Sequence, residues 1–488
     1  MRYAPPASTA FPVLRISQEG ISAEGSFAET QASYLRPDPR LVKKLDSLLS
    51  EKKIGIVAHF YMDPELQGVL ASCKHPHVFV SDSLLMADRA VEMAREGARS
   101  IIVLGVDFMS ENVRAMLDAA GFEDVPVYRA AEEEIGCSLA ESAETEAYRA
   151  YLEEAARNAP ALHVVYINTS LQTKAEAQTI VPTITCTSSN VVRTVLTAAA
   201  ELPELNIFFG PDTYMGENLE SLFRSLSQLD DAAIKTVHPA HDRESIARLL
   251  ERFHYFREGS CVVHHLFGDD VVRRVRAEHA DAYITAHLEV PGGMFALALE
   301  AETRGRGIVG STSNILRFIL EKVDEAIAEG RSEKLEFILG TEAGMITPIV
   351  RGVEERLAKV EGEAPTVEIV FPVATGAMAA TGDRTLPVVP GVAAGDGCSV
   401  SGGCVTCPHM KMNNLHSLLT IAERIDHESD ESMSGLHPES YEGTISGVRI
   451  AELGARPILH MRDFQRSGAL SEGLHAEILG KSSLVQAG

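Results

Sequence analysis

The sequence predicts an α/β protein made of three copies of one unit, and two patterns carry this expectation. Short β-branched runs alternate with helical periods along the 488 residues, as is typical of parallel sheets covered by helices. Similar polar residues recur where successive runs end, which indicates internal repetition. We therefore expect three homologous Rossmann-like α/β/α domains in a pseudo-threefold arrangement.

These patterns divide the chain into five segments. Residues 1–40 are expected to form an irregular N-terminal arm, because prolines interrupt them and no period is sustained. The other predicted segments are the first α/β unit at 41–150, the second at 151–270, the third at 271–425 and a C-terminal extension at 426–488.

Polar residues mark corresponding strand ends in the three copies. They are His59, Tyr61 and Ser83 in the first copy, Tyr166, Asn168 and Ser188 in the second, and His287, Glu289, Ser311 and Thr312 in the third. Ligands gather at the carboxyl ends of strands in open α/β sheets, so three such edges facing one another would form one shared pocket. Chance likeness between α/β segments is the alternative explanation.

The composition excludes several classes of partner. The chain carries 44 Lys and Arg against 69 Asp and Glu, a formal net charge of −25. This charge argues against nucleic acid and anionic membranes as partners, and the apolar runs are too short to span a bilayer. Seven cysteines are too sparse for a disulfide framework in a chain of this length, which indicates a reducing compartment and thiols available for metal or redox chemistry.

One cysteine follows each copy in a short polar context, namely Cys137, Cys261 and Cys407. Three thiolates suit an iron–sulfur cluster better than structural zinc, which takes four ligands. An iron left without a protein ligand would act as a Lewis acid on a substrate oxygen. Cys404 and Cys407 form a lone C-x-x-C, which is also compatible with half a zinc site or a redox disulfide, and Cys398 is left unassigned.

Two kinds of chemistry are open to the polar residues. The serine motifs precede helical runs, where hydroxyls and backbone N–H groups bind anions, and plain helix N-caps are an equally supported explanation. General acid and base catalysis suits the donor and titratable groups of His59, Tyr61, Tyr166, His287 and Glu289. A single histidine at a strand end is nevertheless more often structural.

Ten ordered motifs resemble those of the quinolinate synthase family. They are "AHFYMDPELQGVL", "SDSLLMA", "LGVDFMSENVR", "VVYINTSLQTKA", "CTSSN", "GPDTYMG", "CVVHHLFG", "GSTSNI", "LGTEAGM" and "CPHMKMNNL". The resemblance covers roughly residues 45–425. Features such as "GCSVSGGC" and "PILHMRDFQ" are similar to the longer plant-type enzyme, and we expect a form of it that lacks the N-terminal sulfur-transfer domain.

The resemblance implies a triangular enzyme of three α/β/α domains around a [4Fe-4S] cluster. It implies condensation of iminoaspartate with dihydroxyacetone phosphate to quinolinate, with release of phosphate and two waters, in de novo NAD biosynthesis. The family's three cluster ligands match Cys137, Cys261 and Cys407. One departure is "HLEV" where the family often has His-Pro-Glu-Cys, and a second is the reduced C-x-x-C pattern before the last ligand.

The resemblance also implies roles for the polar residues. The expected catalytic residues are His59, Tyr61, Tyr166, His287 and Glu289, and the expected substrate-binding residues are Ser83, Asn168, Ser188, Ser311 and Thr312. Expected partners are the two small-molecule substrates, the iron–sulfur assembly machinery, the upstream aspartate-oxidising enzyme and a second copy of the chain in a homodimer. The expected compartment is the cytoplasm, with the plastid stroma as the alternative.

Two rival functions share these features. One is a cluster-bearing or zinc-bearing binding or regulatory protein that kept the fold without catalysis. The other is a cluster dehydratase that acts on a different hydroxy acid. Polar residues retained in all three copies argue against the first rival, and two separate anion sites argue against the second.

Overall fold

The computed structural model describes residues 10–261, 263–372, 407 and 409–485. The described residues fall into two compact units. Unit 1 lies within Met1–Leu45, Phe60–Lys74 and Val262–Leu415, and unit 2 lies within Asp46–His59, His75–Cys261 and His416–Gly488.

Most strands are short and rich in β-branched residues. In chain order the strands are β1 (Val13–Ser17), β2 (Gly20–Glu24), β3 (Ile54–His59), β4 (Val78–Ser81), β5 (Ser100–Leu104), β6 (Val127–Arg129), β7 (Ala161–Tyr166), β8 (Thr183–Cys186), β9 (Asn206–Gly210), β10 (Phe253–Tyr255), β11 (Tyr283–His287), β12 (Gly307–Gly310), β13 (Lys334–Gly340), β14 (Thr366–Val370), β15 (Thr444–Ile445) and β16 (Val448–Arg449).

Helices connect these strands and cover the sheets. They are α1 (Ser26–Tyr34), α2 (Pro39–Lys52), α3 (Pro64–Leu70), α4 (Ser83–Arg95), α5 (Asp107–Ala119), α6 (Ser138–Ala143), α7 (Glu146–Arg157), α8 (Leu171–Ile180), α9 (Val191–Glu201), α10 (Thr213–Leu226), α11 (Asp231–Val237), α12 (Arg243–Arg252), α13 (Asp269–Glu278), α14 (Gly292–Glu302), α15 (Thr312–Ala328), α16 (Ile346–Leu357), α17 (Leu415–Arg424), α18 (Ile450–Ser467) and α19 (Glu472–Val485). None of the described helices is long and apolar enough to cross a membrane.

Three sheets repeat one strand order, which confirms the predicted α/β fold with its repeated unit. Unit 2 contains the sheets β4-β3-β5-β6 and β8-β7-β9-β10, and unit 1 contains the run β12-β11-β13-β14. Each run is parallel, with the second strand on one side of the first and the third on the other. The order therefore reverses beside the first strand, where doubly wound sheets form their ligand crevice.

The predicted irregular arm is wrong for the residues between Val13 and Tyr34. They form a β-hairpin, β1 and β2, followed by helix α1, and β1 pairs antiparallel with β14 to extend the sheet of unit 1 to six strands. Arg15 lies opposite Glu368 in this register and donates a 2.6 Å hydrogen bond to its carboxylate. The alternation of buried and half-buried residues in β1 is only five residues long, so the flanking prolines obscured it.

Residues 426–485 of the predicted C-terminal extension belong to unit 2. They contain a turn of 3-10 helix at 430–436, the hairpin β15–β16 and helices α18 and α19. Helix α18 packs on α8 so closely that a Cβ on Gly454 would lie 2.3 Å from the carbonyl oxygen of Leu171. The boundaries expected at residues 40, 150, 270 and 425 stay predictions.

Candidate functional site

The polar residues of the sequence analysis follow matched strand ends. In each sheet the last residue of the first strand pairs with the last residue of the second, and the pairs are His59 with Ser81, Tyr166 with Cys186, and His287 with Gly310. Parallel strands in register end at one edge, so the residues that follow them lie at the carboxyl edge of each sheet. The repeat expected from the sequence is therefore also a repeat of edge positions.

In unit 1 a glutamate lies between two histidines at the end of β11. The Glu289 carboxylate lies 3.2 Å from Nδ1 of His264 and 3.4 Å from Nδ1 of His287, and all three residues are at most 3% exposed. The two imidazole rings stack with centroids 5.1 Å apart. The structure thus brings the predicted pair His287 and Glu289 together and adds His264, which the sequence analysis did not single out.

Burial sets the electrostatics of this cluster. Loss of water lowers the pKa of His287 to about 4, although the neighbouring carboxylate of Glu289 opposes the shift. His287 is therefore neutral at pH 7. Its ring then has one nitrogen that donates a hydrogen bond and one that accepts. A carboxylate in contact with two imidazoles can accept and return a proton without access to bulk water.

Tyr61 belongs to the same part of unit 1. Its hydroxyl lies 3.4 Å from Oγ1 of Thr341, and its ring meets the His264 ring edge-on with centroids 6.3 Å apart. The loop after β13 approaches closely, because a Cβ on Gly344 would lie only 2.3 Å from the carbonyl oxygen of Phe60. Only glycine fits at that position, so the "LGTEAGM" motif holds Tyr61 in place through a backbone approach.

Glu342, in the same motif, is a buried carboxyl that the sequence analysis passed over. Burial raises its pKa to about 8, and the backbone N–H of Cys407 donates to it. Lys411 N–H donates in turn to the Cys407 carbonyl at 3.3 Å. Cys407 is half-exposed, while Cys398 and Cys404 lie outside the described residues. The sequence signal that could have found Glu342 is its place two residues after Gly340, where β13 ends.

The two hydroxyls of the third copy lie at the start of α15. Ser311 is the N-cap, and its Oγ accepts from the Asn314 N–H at 3.3 Å in a capping box. Thr312 is the first helical residue and is buried. The N-cap alternative is thus observed for Ser311, and an anion site at this helix start stays a prediction.

In unit 2 the first sheet carries His59 and Ser83. Both are largely buried, His59 as the last residue of β3 and Ser83 as the first residue of α4. The N-cap of α4 is Asp82, whose carboxylate accepts from the N–H groups of Leu84 and Leu85. Burial raises the pKa of Asp82. A carboxylate already occupies this helix start, so Ser83 does not serve as its cap.

The second sheet of unit 2 carries Tyr166, Asn168 and Ser188. Tyr166 ends β7 and is 5% exposed, whereas Asn168 and Ser188 are half-buried. The turn before α9 is closed by Asn190, whose side-chain oxygen accepts from the Thr187 N–H at 2.9 Å. Asn190, not Ser188, therefore closes this turn.

Two of the three predicted cysteine ligands belong to unit 2, and hydrogen bonds join their loops. Ser138 Oγ, next to Cys137, donates to the carbonyl of Ser260, next to Cys261, at 3.1 Å. The loop before Cys261 is anchored further, because Gly259 exchanges hydrogen bonds of 2.8 and 3.0 Å with Thr213. Both cysteines are half-exposed, as ligands of an added group must be.

An ion pair fixes the loop that leads to Cys137. Arg129 lies 2.8 Å from the Asp107 carboxylate, whose second oxygen accepts from the Ile135 N–H at 2.9 Å. Arg129 also donates to the carbonyls of Gly435 and His437 in the C-terminal extension. The loop thus has defined anchors on both the first sheet and the extension.

Comparison with known proteins places this sequence in a family. The model of the family described as quinolinate synthetase A protein matches residues 43–431, most of the chain. The chain belongs to the quinolinate synthetase A family.

Relatives in this family extend over nearly the whole chain. The chain is 52% identical to "Quinolinate synthase, chloroplastic" of Nicotiana tabacum and of Arabidopsis thaliana, over 98% of its own length and 68% of theirs in both cases. It is 31% identical to "Quinolinate synthase" of Methanopyrus kandleri, over 59% of this chain and 78% of that relative.

The quinolinate synthetase A family uses a [4Fe-4S] cluster, and the residues of this chain fit such a group. Cys137, Cys261 and Cys407 are each half-exposed on loops held by hydrogen bonds. By contrast, Cys186 is fully buried in β8, and burial raises its pKa far above that of an ordinary thiol. A thiolate ligand needs access, which the three half-exposed residues have and the buried Cys186 lacks.

Proposed function

We propose that this chain is a quinolinate synthase in NAD biosynthesis. In the proposed reaction, iminoaspartate condenses with dihydroxyacetone phosphate to give quinolinate, phosphate and two waters. The observation that carries the proposal is the buried contact of Glu289 with His264 and His287 at the end of β11. Ring formation with two dehydrations requires repeated proton transfers, and this cluster is built for them.

Unit 1 supplies the proton chemistry in this proposal. Glu289 takes a proton from a substrate carbon or nitrogen and returns it to a departing oxygen. His287, neutral because its pKa is lowered to about 4, holds the carboxylate in place and accepts hydrogen bonds from substrate. Tyr61, beside Thr341, donates to the oxygen that leaves as water. Ser311 and Thr312 bind phosphate or carboxylate at the start of α15.

Unit 2 supplies substrate contacts in this proposal. Tyr166 donates to a departing oxygen, and Asn168 and Ser188 bind carboxylate or phosphate oxygens after β7 and β8. At the end of the first sheet, Ser83 binds phosphate oxygens and His59 is a catalytic residue that contacts substrate. These groups are largely neutral, which lets a chain of charge −25 bind anions without a basic surface.

We further propose Cys137, Cys261 and Cys407 as the three ligands of the [4Fe-4S] cluster. When bound, the cluster supplies one iron without a protein ligand, which acts as a Lewis acid towards a substrate oxygen. Glu342, which accepts from the Cys407 N–H, sets the direction of that residue's backbone. Glu342 is therefore a positioning residue for the third ligand.

The decisive experiment combines iron and sulfide analysis with a quinolinate assay. Protein purified without oxygen should contain about four iron and four sulfide per chain and form quinolinate from iminoaspartate and dihydroxyacetone phosphate. Alanine at Cys137, Cys261 or Cys407 should abolish both the visible absorbance and the product.

The matched control is Cys73→Ala, a half-exposed cysteine outside the proposed ligand set. It should keep both the absorbance and the activity. Normal activity in any one of the three ligand variants would contradict the assignment, and a cluster without quinolinate formation would favour the dehydratase that acts on another hydroxy acid.

Partners and compartment follow from the same proposal. An enzyme that oxidises aspartate supplies the unstable imine, and an iron–sulfur assembly system loads the cluster. A second copy of the chain forms a homodimer. We propose the cytoplasm as the compartment, with the plastid stroma as the alternative, since two of the relatives described above carry the word chloroplastic in their names.

A further inference from the structure

A fully buried lysine in α8 holds the backbone on both sides of Asn168. Lys174 has no exposed surface, and its ammonium donates to the carbonyls of Ile167, at 3.1 Å, and Thr169. These two carbonyls flank Asn168 along the chain. Both hydrogen bonds come from a charged donor in a dry environment, where such bonds are strong and costly to lose.

Glu111 of α5 is the acidic group whose charge acts on Lys174. Burial lowers the pKa of Lys174 to about 7, and the Glu111 carboxylate opposes this shift. Burial also raises the pKa of Glu111, which Lys174 opposes in turn. The ring of Phe108 lies 5.9 Å from the ammonium and closes another side of the site. A buried charge without an acidic neighbour of this kind would be costly to keep away from water.

The Glu111 carboxylate accepts two hydrogen bonds, one from the start of α8 and one from the C-terminal extension. Its Oε2 accepts from the Leu171 N–H at 2.8 Å, at the start of α8. Its Oε1 accepts from the hydroxyl of Tyr441 at 3.1 Å, in the C-terminal extension. Tyr441 lies beyond residue 431, where the match to the family model ends. Tyr441 and Glu111 therefore form one connection between the extension and the start of α8, in addition to the packing of α18 on α8.

We propose that Lys174, Glu111 and Tyr441 are positioning residues that hold Tyr166 and Asn168 in the geometry that binds substrate, and that the C-terminal extension tightens this support through Tyr441. The inference rests on the proposed function, in which Tyr166 and Asn168 contact substrate. Thr169 adds to the same support, because its hydroxyl donates to the Tyr166 carbonyl at 3.3 Å.

The test compares two tyrosine-to-phenylalanine variants. Tyr441→Phe removes the hydrogen bond to Glu111. Tyr128→Phe is the matched control, because the Tyr128 hydroxyl donates at 2.9 Å to Asp430 of the extension without contact to Glu111. Each variant loses one hydroxyl that connects the extension to the rest of unit 2.

Hydrogen exchange of the peptide that covers residues 166–171 is the first measurement. Tyr441→Phe should speed exchange there about 2- to 10-fold, as the loss of one hydrogen bond predicts, and Tyr128→Phe should leave it unchanged. The second measurement is steady-state kinetics. Tyr441→Phe should raise KM for the substrate that Asn168 binds by a similar factor with kcat nearly unchanged, and the control should change neither.

A double variant tests whether Tyr441 affects the Asn168 loop through Glu111. If Tyr441 acts through Glu111, Glu111→Leu with Tyr441→Phe should be no worse than Glu111→Leu alone, because leucine cannot accept the hydrogen bond from Tyr441. Lys174→Met should give the largest increase in exchange, and if it fails to fold, Tyr441→Phe still decides. Equal behaviour of Tyr441→Phe and Tyr128→Phe would overturn the inference. If the wild type formed no quinolinate, the proposed function would fall, while the exchange data would still decide whether this support exists.

Discussion

The two units place different chemistry at equivalent strand ends. In unit 1, titratable side chains contact one another with almost no exposure, as in the cluster of Glu289 with His264 and His287. In unit 2, the residues that follow β7 and β8 include Asn168 and Ser188, whose half-buried side chains carry a neutral amide and a neutral hydroxyl. In the proposed function, one repeated architecture therefore carries proton transfer in one unit and neutral binding groups in the other, so mutations in the two should fail in different ways.

The largest expected effect is at Glu289. Glu289→Gln keeps the size of the side chain but removes the base, so kcat should fall by about 10²- to 10⁴-fold while iron content stays at the wild-type level. Glu336→Gln is the matched control, because Glu336 also pairs with a histidine of unit 1, His279, outside the proposed site. Normal turnover in Glu289→Gln would contradict the proposal that Glu289 transfers protons in unit 1.

A second effect concerns the backbone that supports Tyr61. Gly344→Ala would place a Cβ 2.3 Å from the Phe60 carbonyl oxygen, so we expect a loss of about 1–3 kcal/mol in the free energy of unfolding together with reduced activity. Gly293→Ala, where the nearest atoms are 3.5 Å from the added Cβ, should be tolerated. Denaturant unfolding of both variants checks this, and equal stability would contradict the close approach.

A third effect is the dependence of stability on pH in unit 2. His163 is fully buried between the Tyr148 hydroxyl, at 2.8 Å, and Thr183, and burial lowers its pKa to about 3. In the unfolded chain, His163 takes up a proton below about pH 6.5. In the folded chain, it takes up that proton only near pH 3. Stability should therefore fall as the pH drops through that range, by at most about 1.4 kcal/mol per pH unit.

The variant His163→Gln removes this titrating group. Urea unfolding at pH 7, 6 and 5 should show a shallower loss of stability with acid for the variant than for the wild type. Parallel curves for the two proteins would show that the folded and unfolded chains protonate His163 equally, and would contradict the lowered pKa of His163.

The smallest expected effects separate two serines. Ser311 caps α15, so Ser311→Ala should cost about 1 kcal/mol of stability in addition to any rise in KM. Ser188 makes no such cap, so Ser188→Ala should raise KM with little change in the melting temperature. A KM that is normal in both variants would leave the hydroxyls of these motifs without a role in binding.

Most of the fold could be predicted from the sequence because strand ends leave local signals. The β-branched runs gave the strands that carry His59, Tyr166 and His287, and the parallel order of these strands followed from the alternation with helices. The hairpin β1–β2 could not be predicted, since its five-residue strands become clear only through pairing with β14.

The remaining site residues depend on contacts between distant parts of the chain. His264 lies in a single 3-10 turn rather than at a strand end, and it meets Glu289 only in the folded unit. Lys174 and Glu111 are on different helices, and a lysine inside a helical pattern normally indicates an exposed surface. No local pattern distinguishes a buried charge from an exposed one, so these residues required the structure.

The packing of α18 on α8 has a consequence for protein engineering. Leu453, Ile458, Met461 and Phe464 are buried side chains of α18, and Gly454 lets that helix lie directly against Leu171. A shortened chain that stopped at residue 431 would expose the apolar surface of α8 that α18 covers, and it would be prone to aggregate. Chimeras that combine this chain with shorter relatives should therefore exchange α8 and α18 together.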